Sequence, residues 1–389
     1  KFEKAVNFSN KVWDKNELFF EADLLLGLNF FLKKDYSKAE KHFERLNKIS
    51  RYNLIFDNFV GNVLLSWNTA IQNKKEESFR YINKIPDPYH HLKQTQDIFL
   101  QCYFNLDSTE DSFIKLINNK EYDFSRYNFF LANYLLSKEK KKEAQKVIKK
   151  ATTKYSSNLL LQQAELFLKN NKISKITDFF NCKDPKESLA EFFYVIANLY
   201  SSEKNYRLSN FYLKISLLLN EKFISNKTLL AENFYYQKKN KNSKNVYFSL
   251  KPLGEIYSWH ASKNIATILI DEKGKKYSIK FLEDDFNLLV KPNFKHYYDL
   301  ANFYKDNEYF KKSIEYYSHS LNQINRDHSL VPKLLDRRGT SYEKIDDWKN
   351  AEKDLMESLE IKPEQAHVLN YLAYSWIDKG INLDKGLVM

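Results

Sequence analysis

The sequence predicts an all-α fold in which pairs of helices repeat along the chain. Small residues recur at a nearly constant spacing, and from Ala197 onward the steps are 34, 35, 35, 38 and 34 residues. Gly and Pro number only seven each among 389 residues, fewer than the turns of a β-rich chain need. Together these observations indicate a solenoid of helical hairpins. The series of small residues is Gly27, Ala132, Ala197, Ala231, Ala266, Ala301, Gly339 and Ala373.

A second small residue follows most of these after twelve positions, and a large residue follows four positions later. The four-residue step places both on one face of a second amphipathic helix. We therefore expect the small residue of one helix to receive the bulky residue of the next. The second small residues are Ala39, Ala144, Ser209, Ser243, Ser278, Ser313 and Ala351. The large residues are Phe43, Ile148, Leu213, Tyr247, Leu282, Tyr317 and Leu355.

The clearest copy of the repeat runs Leu335, Gly339, Tyr342, Ala351, Leu355, Ser358 and Pro363, and only Arg338 departs from the usual order. Through these positions the chain resembles the tetratricopeptide repeat family over nearly its whole length. The resemblance implies a right-handed superhelix of about ten to eleven helix-turn-helix units. Both ends are expected to be truncated, since Ala5 stands 34 residues before Ala39 and Met389 falls inside a second helix.

The regularity of the repeat predicts two segments. Residues 1–183 form an N-terminal array that is irregular in 54–120 and in 159–183, and residues 184–389 form a more regular array. Pro86 and Pro88 break the first irregular stretch. At the boundary, Asp184, Pro185 and Glu187 have the spacing of N-cap, N1 and N3 residues that restart a helix.

The net charge of +12 leaves a nucleic-acid binder open as the alternative function. Only eight of the 62 basic residues are Arg, however, and the Lys residues are dispersed. Bidentate recognition of phosphate or guanine favours Arg, so the composition disfavours this class. A helical scaffold that binds another protein is the leading prediction.

The sequence carries no catalytic signature, and we expect neither enzymatic activity nor a cofactor. It has no HExxH, GxSxG or CxxC motif and no phosphate-binding loop. Cys102 and Cys182 are far apart in sequence, so they predict neither a metal site nor a disulfide framework. No apolar run of about 18 residues predicts a transmembrane span.

The resemblance implies that positions 5, 9 and 12 of each first helix line a concave groove. Asn at position 9 offers a donor and an acceptor to a peptide backbone, and neighbouring aromatic residues could contact its side chains. A peptide or a partner helix is therefore the expected ligand, an acidic chain terminus is disfavoured, and self-association is possible. The predicted groove residues are Phe129, Asn133, Tyr194, Asn198, Glu232, Tyr235, Lys263, Tyr298, Asn302 and Lys305.

Residues 369–387, LNYLAYSWIDKGINLDKGL, look like a stretch shared by long bacterial tetratricopeptide proteins of alphaproteobacterial type. Ala373 replaces the Gly of that stretch, and Gly386 stands where Ala is usual. Members of that group are mostly envelope proteins with a secretory signal. The resemblance thus implies a periplasmic or envelope location, with the cytoplasm as the other possibility.

Overall fold

The computed structural model describes residues 2–13, 19–48, 59–85 and 89–388. These residues form 23 α-helices and a short 3-10 helix, Lys251–Leu253, and contain no strand. The predicted all-α fold is confirmed. Among the described helices, none combines the length and the apolar character that crossing a bilayer requires.

After α1 (Phe2–Val12), the described helices follow one another as eleven pairs. The pairs are α2 (Phe20–Leu32) and α3 (Tyr36–Leu46); α4 (Phe59–Ala70) and α5 (Lys75–Asn83); α6 (His90–Tyr103) and α7 (Thr109–Ile117); α8 (Tyr127–Ser137) and α9 (Lys141–Lys154); α10 (Leu159–Lys169) and α11 (Ser174–Thr177); α12 (Pro185–Ser202) and α13 (Tyr206–Leu219); α14 (Ile224–Tyr236) and α15 (Asn240–Leu250); α16 (Glu255–Lys273) and α17 (Lys275–Asn287); α18 (Phe294–Asp306) and α19 (Phe310–Leu321); α20 (Val331–Glu343) and α21 (Trp348–Ile361); α22 (Ala366–Asp378) and α23 (Leu383–Val388).

The chain divides into two compact units, Lys1–Tyr257 and Ser258–Met389. The sequence instead placed its boundary between residues 183 and 184, which lie inside the first unit. Asp184 does begin a helix there, because its side chain accepts the N–H of Lys186 at 3.0 Å at the start of α12. The side chain of Glu187 accepts from the backbone N–H of Asn181, and not from that of Asp184 as the capping box requires.

The two predicted irregular stretches differ in the structure. In 159–183 the second helix, α11, has only four residues. In 54–120 the described residues form two ordinary pairs, α4 with α5 and α6 with α7. Pro86 and Pro88, which were expected to break this stretch, lie outside the described residues.

Small residues allow the two helices of a pair to approach closely. A Cβ added to Gly27 would lie 2.5 Å from Cε1 of Phe43, and one added to Gly339 would lie 3.0 Å from Cγ of Leu355. Each glycine thus faces the bulky residue that follows it by sixteen positions. Ala373 is 8% exposed, and Pro363 lies just beyond the end of α21. Eight alanines of the predicted packing series have no exposed surface: Ala39, Ala132, Ala144, Ala197, Ala231, Ala266, Ala301 and Ala351.

Nine of the hairpin turns have the same backbone conformation. In each, a non-glycine residue with φ between 55° and 71° follows the end of the first helix. The residue after it donates its backbone N–H to the carbonyl oxygen five positions earlier, as Asp35 does to Phe30 at 2.9 Å. This is the Schellman arrangement, which satisfies carbonyls that the helix end leaves open. The nine residues are Lys34, Asn73, Asn105, Glu139, Asn171, Lys204, Lys238, Glu308 and Asp346.

Helices that are distant in sequence also meet within the first unit. Helix α12 contacts both α4 and α6, and the rings of Phe59 and Phe192 lie 5.2 Å apart. The side chain of Gln163 in α10 accepts the N–H of Ile256 at 3.0 Å. An array in which each pair touches only its neighbours would have none of these contacts.

Cys102 and Cys182 form a disulfide across 80 residues, with their Cα atoms 5.9 Å apart. The expectation that they would not pair is therefore wrong. Their separation in sequence is large, but α6 and α12 pack together and bring the end of α6 close to the segment before α12. The ammonium of Lys183 reinforces this junction by donating to the carbonyl oxygens of Cys102 at 2.8 Å and Tyr103 at 2.7 Å.

Replacing both cysteines by serine is expected to lower the free energy of unfolding of the first unit by about 3–4 kcal/mol. The reason is that the bond closes a long loop and restricts the unfolded chain. Urea unfolding followed by circular dichroism measures the change. Reducing agent should shift the wild-type curve toward that of the variant and leave the variant unaffected. A wild-type midpoint that does not move on reduction contradicts the prediction.

Candidate functional site

The first unit contains a cavity of about 480 Å³. Its walls come from α6, the residues just before α8, the start of α10, α12, α14, and Tyr257 in α16. Three of the predicted groove residues, Tyr194, Asn198 and Glu232, lie together in its wall. Its volume is in the range of pockets that take small molecules or side chains.

The helical period explains why these side chains share one wall. Tyr194 and Asn198 stand four residues apart on α12, as Thr228 and Glu232 do on α14. Residues four apart lie on the same face of a helix. Because α12 and α14 are first helices of consecutive pairs, the two faces border the same cavity.

A buried ion pair lies at the base of this wall. The Nε and Nη2 atoms of Arg126 each donate to Glu191 at 2.8 Å, and Nη1 donates to the hydroxyl of Ser225 at 2.8 Å. The guanidinium also lies 4.3 Å from the ring centre of Tyr194. Burial by itself would lower the pKa of Arg126, but the adjacent Glu191 carboxylate outweighs it and raises that pKa. Arg126 is therefore a fixed, charged part of the wall.

Glu232 is a second ionisable group of this wall whose pKa is strongly changed by burial. Loss of water around its carboxyl group raises the pKa of Glu232 to about 7. His91, in the part of the wall formed by α6, has its pKa lowered by burial, and its ring stacks on that of Tyr122 with 4.6 Å between the ring centres. Besides the Arg126–Glu191 pair, the cavity wall thus contains the carboxyl groups of Glu232 and of the exposed Asp123.

Replacing Glu232 by glutamine is expected to stabilise the first unit at pH 8 by about 1–3 kcal/mol and to change nothing at pH 4. The folded pKa lies above that of an unfolded glutamate, about 4.3, so the folded state binds the proton more tightly. Stability from this group is therefore present at low pH and is lost as the pH rises toward 7.

Urea unfolding between pH 4 and pH 8 measures this dependence. Glu203→Gln removes the same charge from an exposed residue and serves as the control. If the free energy of unfolding of wild type and of Glu232→Gln depends on pH in the same way, ionisation of Glu232 does not destabilise the folded state.

Other predicted groove residues of the first unit lie elsewhere. Phe129 and Asn133 are buried, with 1% and 5% of their surface exposed, and the Asn133 amide donates to the carbonyl of Ile176 at 2.9 Å. Their expected place in an open groove is wrong, because the short helix α11 packs on α8 and covers them. Tyr235 is exposed and lies outside the cavity wall.

In the second unit the predicted residues are already engaged or lie apart. Lys263 pairs with Asp299 at 2.6 Å. The amide oxygen of Asn302 accepts from Tyr317 and from Arg337, both at 2.7 Å. The guanidinium carbon of the same Arg337 lies 5.9 Å from the ring centre of Tyr298.

A separate cavity of about 550 Å³ in the second unit is lined by Lys305, Lys333, Arg337 and Lys362. Asp306 and Asp336 share its wall, and Asp336 also pairs with His367 at 3.0 Å. Charges of both signs therefore line this cavity, and Lys305 is the predicted groove residue that it contains.

Arg126 and Glu191 form the buried ion pair beside the cavity of the first unit, and neither was among the residues predicted from the sequence. A signal was present, because Glu191 is the only charged residue between Glu187 and Glu203 in an otherwise apolar and small-residue stretch. A lone carboxylate in such a helix needs a buried partner. With eight Arg residues in the chain, Arg126 was one of few candidates.

The described residues place no group of three or more His, Cys, Asp or Glu side chains where they could hold a metal ion. The helix pairs and the spacing of their small residues follow the tetratricopeptide pattern.

No protein-family model and no curated protein matches the chain. Among solved structures, it is similar to YrrB, described as a TPR protein with an unusual peptide-binding site, with 14% identity over 46% of this chain and 90% of that chain and a TM-score of 0.33. It is similar to the Cut9–Hcn1 hetero-tetramer of the APC/C, with 12% identity over 100% of this chain and 90% of that chain and a TM-score of 0.38.

A third similarity is to pilF of Pseudomonas aeruginosa, with 11% identity over 64% of this chain and 97% of that chain and a TM-score of 0.35. Because all three TM-scores are below 0.5, the assignment of an all-α repeat fold rests on this chain's own helix pairs and turns.

Proposed function

We propose that this chain is a non-enzymatic scaffold that binds an extended segment of another protein in the cavity of its first unit. The observation that carries the proposal is the convergence of Tyr194, Asn198, Thr228 and Glu232, from two consecutive first helices, on one cavity of about 480 Å³. Aromatic and amide side chains in such a wall can contact the side chains and the backbone of a peptide.

The same wall argues against nucleic acid as the ligand of this cavity. Arg126 directs its guanidinium to Glu191 and Ser225, so it is already engaged and poorly placed to bind phosphate. Asp123 and Glu232 would repel a polyanion. The alternative of a nucleic-acid binder therefore has no support from this site.

We further propose that the protein works in an oxidising compartment, such as the periplasm. The Cys102–Cys182 bond supports this location, since structural disulfides persist in oxidising compartments and are rare in the cytosol. The resemblance of residues 369–387 to envelope proteins points the same way.

The proposed function is tested by filling the cavity. Asn198 is exposed on α12 and lines the cavity, so Asn198→Trp places an indole in the binding volume without disturbing the core. We expect this variant to lose at least tenfold in affinity for peptides selected on the wild type from a random display library. Isothermal titration calorimetry measures the loss.

Thr267→Trp provides the control, because Thr267 is an exposed residue of a first helix in the other unit. It should bind the selected peptides as the wild type does. Equal affinities for Asn198→Trp and wild type would show that the peptides bind outside this cavity and would overturn the proposal.

A further inference from the structure

We propose that one edge of the first unit docks on the surface of a membrane that contains anionic lipids. The edge consists of the turn between α12 and α13, the turn between α14 and α15, and the first residues of α13 and α15. We call it the basic edge, because five exposed cations stand on it. They are Lys204, Arg207, Lys238, Lys239 and Lys241. None of them lines the cavity, so this inference does not depend on the proposed function.

The first argument is the excess of positive charge around this edge. Residues 206–250, which form α13 to α15, contain eight Lys or Arg residues but only two carboxylates, Glu221 and Glu232. Basic residues are hardly denser here than in the rest of the chain, whereas acidic residues are scarce. This short segment therefore supplies half of the net charge of +12. A patch of one sign attracts the opposite charge, so its ligand should be anionic.

The second argument is that the structure places the two turns side by side. The rings of Tyr206, at the start of α13, and Tyr236, at the end of α14, stack with 5.4 Å between their centres and 15° between their planes. Lys204 precedes Tyr206 by two residues, and Lys238 follows Tyr236 by two. The cations of both turns therefore belong to one surface and can act together on one ligand.

The third argument is that no carboxylate in the described part of the chain forms an ion pair with these five cations. The ammonium of Lys239 donates to the neutral amide oxygen of Gln237 at 2.6 Å. The one carboxylate within the two turns is that of Glu203, which is exposed. In the turn between α8 and α9, by contrast, Lys140 pairs with Glu110 at 2.6 Å. The charge of the basic edge is thus available to an external anion.

The side chains of the basic edge favour a lipid surface over nucleic acid. Four of its five cations are Lys, whose compact charge attracts headgroup phosphates but lacks the bidentate geometry with which Arg recognises nucleic acid. Tyr235 and Tyr236 are 37% and 62% exposed beside them, and Tyr is enriched where a membrane meets water. Tyr206 covers one face of the Tyr236 ring and leaves less of it for a base to stack on.

The test is flotation of the full chain with phosphatidylcholine vesicles that contain either no phosphatidylglycerol or one third of it. We expect the wild type to bind the anionic vesicles at least tenfold more tightly than the neutral ones. This binding should weaken as salt is raised above about 0.15 M, because added ions screen exposed charges. Replacing all five cations of the basic edge by glutamine should lower the affinity for anionic vesicles at least tenfold. Wild type that binds both vesicles equally, or neither, would overturn the proposal.

A charge-matched control replaces five exposed lysines of the second unit by glutamine. They are Lys276, Lys291, Lys311, Lys349 and Lys353. This control should bind anionic vesicles within threefold of wild type. Equal losses in both glutamine variants would mean that the net charge of the chain, and not the basic edge, attracts the vesicles. A third variant, with arginine in place of the four lysines of the basic edge, keeps the charge and should bind as the wild type does.

Nucleic acid is the competing ligand, and a fluorescein-labelled single-stranded oligonucleotide in the same buffer tests it. We expect fluorescence anisotropy to show binding at least tenfold weaker, at equal phosphate concentration, than binding to anionic vesicles. If the oligonucleotide binds more tightly than the vesicles, and the glutamine variant of the basic edge loses that binding, the basic edge is a nucleic-acid site and the membrane proposal is wrong.

Discussion

Replacing Arg126 by methionine is expected to lower the free energy of unfolding of the first unit by about 3–5 kcal/mol. The change leaves the Glu191 carboxylate buried, with no exposed surface and no cation to balance it. Removing one partner of a buried ion pair is strongly destabilising for this reason. The shift in the urea midpoint, followed by circular dichroism, measures the effect.

A double-mutant cycle separates the ion pair from simple packing. Arg126→Met combined with Glu191→Met should be more stable than Arg126→Met alone, because no buried charge remains unbalanced. Arg207→Met is the matched control at an exposed residue and should change stability by less than about 0.5 kcal/mol. If Arg126→Met and Arg207→Met unfold at the same urea concentration, the ion pair does not hold these helices together.

In the second unit, Ala301→Arg and Gly339→Arg are each expected to cost about 4 kcal/mol or more. Ala301 has no exposed surface, and even a Cβ on Gly339 would come within 3.1 Å of the Ala351 carbonyl oxygen and 3.0 Å of Leu355. A long charged side chain must therefore push the paired helices apart or bury its charge. Thermal unfolding of each variant, followed by circular dichroism, measures the loss.

Thr267→Arg adds the same side chain at an exposed position of a first helix and should leave the melting curve almost unchanged. Melting curves for Ala301→Arg and Gly339→Arg that match this control would mean that the small residues are not at the helix contacts. Such a result would contradict the packing register of the whole repeat.

The contacts within a helix pair could be predicted from the sequence because they depend on local spacing. Gly27 and Phe43 are sixteen residues apart on two helices joined by a short turn, so the helical period alone places them face to face. The groove residues came instead from the family resemblance, and three of them, Tyr194, Asn198 and Glu232, lie in the wall of one cavity.

Contacts between distant pairs could not be predicted in this way. Arg126 and Glu191 are 65 residues apart, and Cys102 and Cys182 are 80 apart. Whether such residues come together depends on the rotation between each helix pair and the next, added over several pairs. No single spacing in the sequence determines that sum. The burial of Asn133 has the same origin, since the short helix α11 packs on α8.

The boundary between the two compact units differs from the predicted division between regular and irregular repeats. Asp184 and Pro185 are a valid signal for the start of a helix, but a helix start does not by itself separate units. The observed division follows Tyr257, shortly after the short 3-10 helix Lys251–Leu253 and Gly254, whose φ is 154°. Pro252 and Gly254 were the sequence signal for this interruption.

The nine hairpin turns with positive φ at Lys, Glu, Asn or Asp leave this scaffold room for thermostability engineering. A residue with a side chain is disfavoured in the left-handed region of backbone conformation. At the turns where that residue is Lys or Glu, replacing it by glycine should raise the free energy of unfolding by about 0.5–1 kcal/mol. Turns that share no partners should contribute additively. Substitutions at these turns should therefore raise the melting temperature without altering a residue that lines the cavity of the first unit.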